Sequence, residues 1–151
     1  MTPAFQTELQ LLLRLVLASA LAAVLGWERE RAGKAAGLRT HALVGLAAAL
    51  YTGLGTLAAA ELHSSDPGFR ADPIRILQAV ALGIGFLGGG IITAGSREEG
   101  HVSGLTTAAS IWSTAAIGIA VGLGHYALAA GATLLQLVVL HWLERFERPA
   151  R

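Results

Sequence analysis

Apolar residues fall into five runs, Leu9 to Trp27, Leu38 to Ala60, Ile74 to Ala94, Leu105 to Leu123 and Tyr126 to Trp142, with most polar residues gathered between them. A helix crosses the hydrocarbon core of a bilayer in roughly 20 residues, and each run is near that length, the fifth being shortest at about 17. The connections suit helix ends. The second, H-S-S-D-P-G-F-R-A-D-P, holds two Asp-Pro pairs, which favour turns and stop the preceding helix. The fourth is little more than Gly124 and His125, short enough only for an antiparallel helical hairpin. The pattern predicts an all-α integral membrane protein with five transmembrane helices in a single domain over residues 1–151. Only about nine residues follow Trp142, so no soluble C-terminal domain is expected. Leu9 to Leu25 has the outline of a signal peptide, but Glu8 and no Lys or Arg precedes it, and it is long enough to span.

The third run is the most unusual. It reads D-P-I-R-I-L-Q-A-V-A-L-G-I-G-F-L-G-G-G-I-I-T-A from Asp72 to Ala94, with Gly83, Gly85, Gly88, Gly89 and Gly90 in its second half. Each glycine costs a helix interior roughly 1 kcal/mol against alanine, yet in lipid the backbone has no water to bond and the helix persists. Ala81, Gly85, Gly89 and Thr93 recur every four residues, and with Gly88 they form a groove for close helix approach. Gly83, Gly85 and Gly88 also spell G-x-G-x-x-G. The dinucleotide motif needs a strand before it and a helix opening on the glycines, whereas these lie deep inside an apolar run.

Similar ladders of mostly small residues mark the first helix (Arg14, Ala18, Ala22, Gly26), the second (Gly45, Ala49, Gly53) and the fourth (Thr106, Ser110, Thr114, Gly118, Gly122). Helices one to four are therefore expected to form the core. The fifth has only Ala129 and Thr133 and is expected at the edge. Shifted by 67 residues, Gly33, Gly37, Leu38, Thr40, Ala42, Ala48, Ala49 and Gly55 fall on Gly100, Gly104, Leu105, Thr107, Ala109, Ala115, Ala116 and Gly122. That match predicts two parallel hairpin repeats about an axis along the membrane normal, built from helices one to four.

Composition agrees with lipid as the solvent. Of 151 residues, 54% are hydrophobic and 14% charged, at a mean hydropathy of +0.58. Basic residues set the orientation. Arg29, Arg31, Lys34, Arg39, Arg97, Arg145, Arg148 and Arg151 lie on one side, whereas Arg14, Arg70 and Arg75 lie on or near the other. The positive-inside rule then puts the N-terminus outside and the C-terminus in the cytoplasm. No aromatic-interleaved basic patch points to nucleic acid, and the absence of Cys excludes disulfides and thiolate chemistry.

Charges within the apolar runs are the candidates for function. Arg14 lies about 7 Å inside the first run, where it either snorkels to the outer interface or is held by a carboxylate. Asp72 is the best-placed carboxylate, although Asp followed by Pro is also ordinary helix-start chemistry. With Arg75 and Gln78 at three-residue steps, Arg14 and Asp72 make one candidate polar cluster at the outer mouth.

On the cytoplasmic side stand Glu28, Arg29, Glu30, Arg39, Thr40, Thr106 and Thr107. Glu28 and Glu30 point about 200° apart on a continued helix and cannot chelate one ion together. Mg²⁺ needs only one or two protein carboxylates, which leaves Glu28, and on the outer side Asp72, as metal candidates. Arg39, Thr40, Thr106 and Thr107 open two helices and form a weak anion-binding corner. The hydroxyls of Thr106, Ser110 and Thr114 either line a polar path or bond the carbonyl one turn back. His41, His63, His101, His125 and His141 show no metal-enzyme spacing, and no serine sits in a hydrolase motif. No enzyme is expected.

G-W-E-R-E-R at Gly26 to Arg31, G-L-R-T-H at Gly37 to His41, the Asp72 to Gly90 stretch and V-S-G-L-T-T-A-A-S-I-W-S-T-A-A-I-G at Val102 to Gly118 together resemble the MgtC/SapB family. The resemblance implies a bacterial inner-membrane protein of five spans, linked to growth under magnesium limitation and, in pathogens, to survival inside host cells. It carries over Arg14, Glu28, Arg29, Glu30, Arg39, Thr40, Asp72, Arg75, Gln78, Gly85, Gly88, Thr106 and Thr107. Family members often continue into a cytoplasmic domain that is not expected here. Two functions follow as expectations: a non-enzymatic interaction protein, homodimeric or bound to another membrane protein, or a transporter or channel for Mg²⁺ or another ion. Ala81, Gly85, Gly88, Gly89 and Gly118 would serve helix packing in either.

Overall fold

The computed structural model describes residues 2–66, 68, 70, 72, 74–95 and 103–147. Among them are five helices, α1 (Pro3–Arg31), α2 (Leu38–Ser65), α3 (Ile74–Gly95), α4 (Leu105–Gly122) and α5 (Tyr126–Glu147), and no strand. By length and composition α1 to α4 can each cross a membrane, whereas the apolar part of α5, Tyr126–Trp142, is shorter. Arg97, Gly100, His101, Arg148 and Arg151, on which the sequence pattern draws, lie outside the described residues.

Helix ends follow local chemistry. Thr2 starts α1, its hydroxyl accepting from the Phe5 N–H at 3.4 Å, and Asp72 starts α3, Oδ1 accepting from the Ile74 N–H at 3.0 Å. The α4–α5 turn is as tight as its two residues require. Gly124 takes φ +86°, where a side chain would strain the backbone, and the His125 N–H closes on the Ala120 carbonyl at 2.8 Å.

The small-residue ladders face one another. A Cβ on Gly45 would sit 2.6 Å from Ala22 Cβ, and one on Gly26 would sit 2.6 Å from Leu38 Cα, so α1 and α2 run antiparallel with their backbones nearly touching. α4 lies beside α2 in the same direction, His41 meeting Ser110 near one end and Thr52 meeting Gly122 farther along. Ala18, Ala22, Ala49, Ser110, Thr114, Gly118 and Gly122 are buried; Thr106 alone of the α4 ladder is exposed.

α3 lies at the rim of the bundle as α5 does, against the expectation that helices one to four together form the core. α5 packs along α1 and α4 and buries Ala129 and Thr133, so two small positions are enough to seat it. In α3 only 11% of the apolar span is buried, against 56% in α4. α3 meets α4 where Gly88 faces Ala108 and Ile91 faces Gly104, and meets α2 where Ile76 fits over Gly55. Its glycine stripe points elsewhere. A Cβ on Gly83, Gly85, Gly89 or Gly90 would meet nothing within 4 Å, Ala81 is only partly covered, and Thr93 is exposed.

Candidate functional site

Polar side chains gather at both ends of the bundle. At the α1–α2 end, α1 finishes on Glu28-Arg29-Glu30-Arg31, four residues that a helix fans out in different directions. Arg29 turns inward and is 1% exposed. Its Nε donates to Glu28 Oε2 at 2.6 Å and its Nη2 to Glu28 Oε1 at 3.0 Å, a two-point pairing that compensates a buried cation. Glu30 points away and caps α2, Oε2 accepting the Leu38 N–H at 2.9 Å in place of Gly37, which has no side chain to do so. Arg31 stacks over Trp27 at 4.6 Å from the ring centroid.

Farther into the bundle, His41 is fully buried, with Nδ1 3.0 Å from the Gly37 carbonyl and Nε2 3.1 Å from Ser110 Oγ. With Nδ1–H given to Gly37, a neutral ring accepts at Nε2. The single Ser110 proton then goes either to His41 or to the Thr107 carbonyl, 2.8 Å away. Gln136 of α5 completes the group. Its Nε2 donates to the Ser110 carbonyl at 2.9 Å, and its buried Oε1 has no hydrogen-bond partner among the described residues. His41, Ser110 and Gln136 therefore tie α2, α4 and α5 together through polar groups, an arrangement costly to leave incomplete away from water.

At the other end Arg14 donates from Nε to the Tyr126 hydroxyl at 3.0 Å and from Nη1 to the Gly122 carbonyl at 2.8 Å. It thereby caps the α4 C-terminus, where carbonyls lack partners and the helix dipole is negative. Asp72 is not its partner. α1 and α3 do not touch, and Asp72 is engaged with the start of its own helix. The expected cluster of Arg14, Asp72, Arg75 and Gln78 does not assemble, because the ends of α4 and α5 offer Arg14 nearer acceptors. Arg75 lines a groove between α2 and α3, and Gln78 is exposed.

Between the two ends lies an apolar layer of Ala18, Ala49, Ile117, Val121 and Ala129. Thr52 and Thr133 are buried nearby, but each hydroxyl bonds a carbonyl of its own helix at 2.8 Å. Thr114 does the same toward Ser110 at 2.7 Å, while its oxygen also accepts from Gln136 Nε2 at 3.5 Å.

The remaining candidates stand apart. Arg39 and Thr106 are exposed, Thr40 is half-buried and Thr107 is buried. The α2 end of that corner already holds the Glu30 carboxylate. Glu28 and Asp72 sit at opposite ends of the bundle, and a cation on Glu28 would compete with Arg29 for both oxygens. His41, Gln136 and the hydroxyl of Tyr126 are partners that the sequence pattern did not single out. Gln136 was the readable one, since an amide in the middle of an apolar run calls for a polar neighbour.

A sequence model of the MgtC family matches residues 15–149, taking in every element that builds the buried group and starting one residue after Arg14. The chain belongs to the MgtC family. YhiD of Escherichia coli K12, named as a candidate magnesium transporter, is 40% identical over 131 residues, which cover 87% of this chain and 59% of YhiD. Protein SrpB of Synechococcus elongatus is 41% identical over 142 residues, 91% of this chain and 76% of SrpB. Protein MgtC of Salmonella typhimurium is 40% identical over 126 residues, 83% of this chain and 49% of MgtC. This MgtC-family chain thus spans less than two thirds of the length of YhiD or of MgtC itself. No solved structure matches it.

Proposed function

We propose that this chain is a non-enzymatic, multi-pass protein of the bacterial inner membrane that serves magnesium or stress homeostasis through contacts with membrane proteins, a second copy of itself foremost. The observation that carries this reading is the separation of its two polar ends by the apolar layer around Ala18, Ile117 and Val121. A path for a hydrated cation would need polar groups through that layer. The proposed topology has five spans with the N-terminus outside and two parallel hairpin repeats. It is supported by α2 and α4 running the same way and by Arg29, Arg31, Lys34 and Arg39 lying together at the α1–α2 end. Ion transport is the second reading, favoured by the name of YhiD and by the polar group that reaches inward from that end.

The docking face for the second copy is the notch of Phe86, Gly89, Gly90, Thr93 and Ala94 on α3, left open because its glycines meet no neighbour among the described residues. Close backbone approach is the way helices associate in lipid, so two such notches suit each other. The chain has no cysteine, which makes single-cysteine variants informative. In oxidised membranes Phe86→Cys is expected to give disulfide-linked dimers while Leu134→Cys on exposed α5 does not. Equal linkage at both positions, or none at position 86, would count against this face.

A further inference from the structure

A groove of about 860 Å³ opens between α2 and α3. It exists because α3 touches α2 at Ile76 and Gly55 and then leans onto α4 at Gly88 and Ala108, so the two walls diverge. Along it lie Tyr51 from α2 and Ala79, Gly83 and Leu87 from α3, with Arg75 at one end as the only charged residue among the described ones that line it.

Two properties define an occupant. Arg75 is exposed in the first turn of α3, and among the described residues its guanidinium has no hydrogen-bond or ion-pair partner. It also sits at the positive end of the helix dipole, which favours an anion beside it. From Arg75 to Leu87 the helix rises roughly 18 Å, little more than half of the roughly 30 Å hydrocarbon core. That is the depth of a single leaflet. A transmembrane helix would need a groove of full depth, and a free anion would make no use of an apolar shaft.

We propose that the α2–α3 groove binds one phospholipid, with its phosphate on Arg75 and an acyl chain laid along Tyr51, Ala79, Gly83 and Leu87. The leaflet is the one at the α2–α3 connection. This site is separate from the α3 notch, and its occupancy does not depend on whether that notch pairs with a second copy.

The test is native mass spectrometry of the full chain titrated with phosphatidylglycerol, joined to photolabelling by phosphatidylglycerol carrying a mid-chain diazirine. One retained lipid is expected, with label concentrated on the Tyr51 and Ala79–Leu87 peptides. Arg75→Gln is expected to weaken binding roughly tenfold, the scale of one lost charge-assisted contact, and Arg75→Lys to weaken it less. Gly83→Phe is expected to abolish binding without disturbing the fold, since a Cβ there meets nothing within 4 Å. Helical circular dichroism and a monodisperse elution profile verify the fold of each variant. Unchanged affinity in both Arg75→Gln and Gly83→Phe, or label spread evenly over α1 and α5, would overturn the proposal. So would displacement of the lipid by inorganic phosphate at equal concentration, or disulfide linkage between copies through Ala79→Cys.

Discussion

Gly118→Leu is expected to prevent the bundle from forming, and Gly118→Ala to destabilise it by about 3 kcal/mol, the upper end of what overpacking a core costs. A Cβ at Gly118 would lie 2.5 Å from the Gly45 carbonyl oxygen and 2.9 Å from Ala48 Cβ. The first of these is backbone, and moving it means separating α2 from α4. The companion Gly85→Ala should change the stability of the isolated chain by less than about 0.5 kcal/mol, because its Cβ has open space and alanine is the better helix former. Unfolding of the two alanine variants in a titrated mixed micelle measures the difference. Equal stabilities would mean that α2 and α4 are not in the close contact described.

The second large effect is expected at Arg29. Arg29→Met leaves Glu28 with both oxygens deprived of their partner, and breaking a buried pair from one side costs about 3–5 kcal/mol. Adding Glu28→Gln removes the stranded charge and should recover part of that loss. The sum of the two single effects should then exceed the double-variant effect by at least about 1.5 kcal/mol, in the range found for directly coupled residues. Additive effects would show that the guanidinium draws its compensation from elsewhere. The same cycle tests Glu28 as a cation ligand, since a carboxylate held by Arg29 should show no Mg²⁺-dependent stabilisation.

The helices and most of their packing faces were legible in the sequence, because lipid demands long apolar runs and close helix contact demands small residues at four-residue steps. Ala18, Ala22, Gly45, Ala49, Gly118 and Gly122 were all readable as contact positions in that way. What a ladder does not specify is its partner. The α3 stripe and the α4 ladder look alike in sequence, yet one faces outward and the other lines the core. For the same reason the place of α3 at the rim could not be read from its glycines.

Polar partners were less legible still. Residue types advertise charge pairs, so Asp72 drew attention as the partner of Arg14, whereas the actual acceptors are a backbone carbonyl and a phenol at the α4–α5 turn. His41 and Ser110 are 69 residues apart and meet only because α2 and α4 lie side by side. That Glu28 and Glu30 point apart was readable from helix geometry, whereas their partners, Arg29 and the Leu38 N–H, were not.

The apolar layer between the two polar ends is expected not to conduct ions. This is tested most directly by reconstituting the full chain into liposomes with verified folding and orientation and recording Mg²⁺ and proton flux with entrapped indicators. Rates equal to those of protein-free liposomes are expected across an imposed gradient. Saturable flux above that background would contradict this expectation and make this chain a transporter.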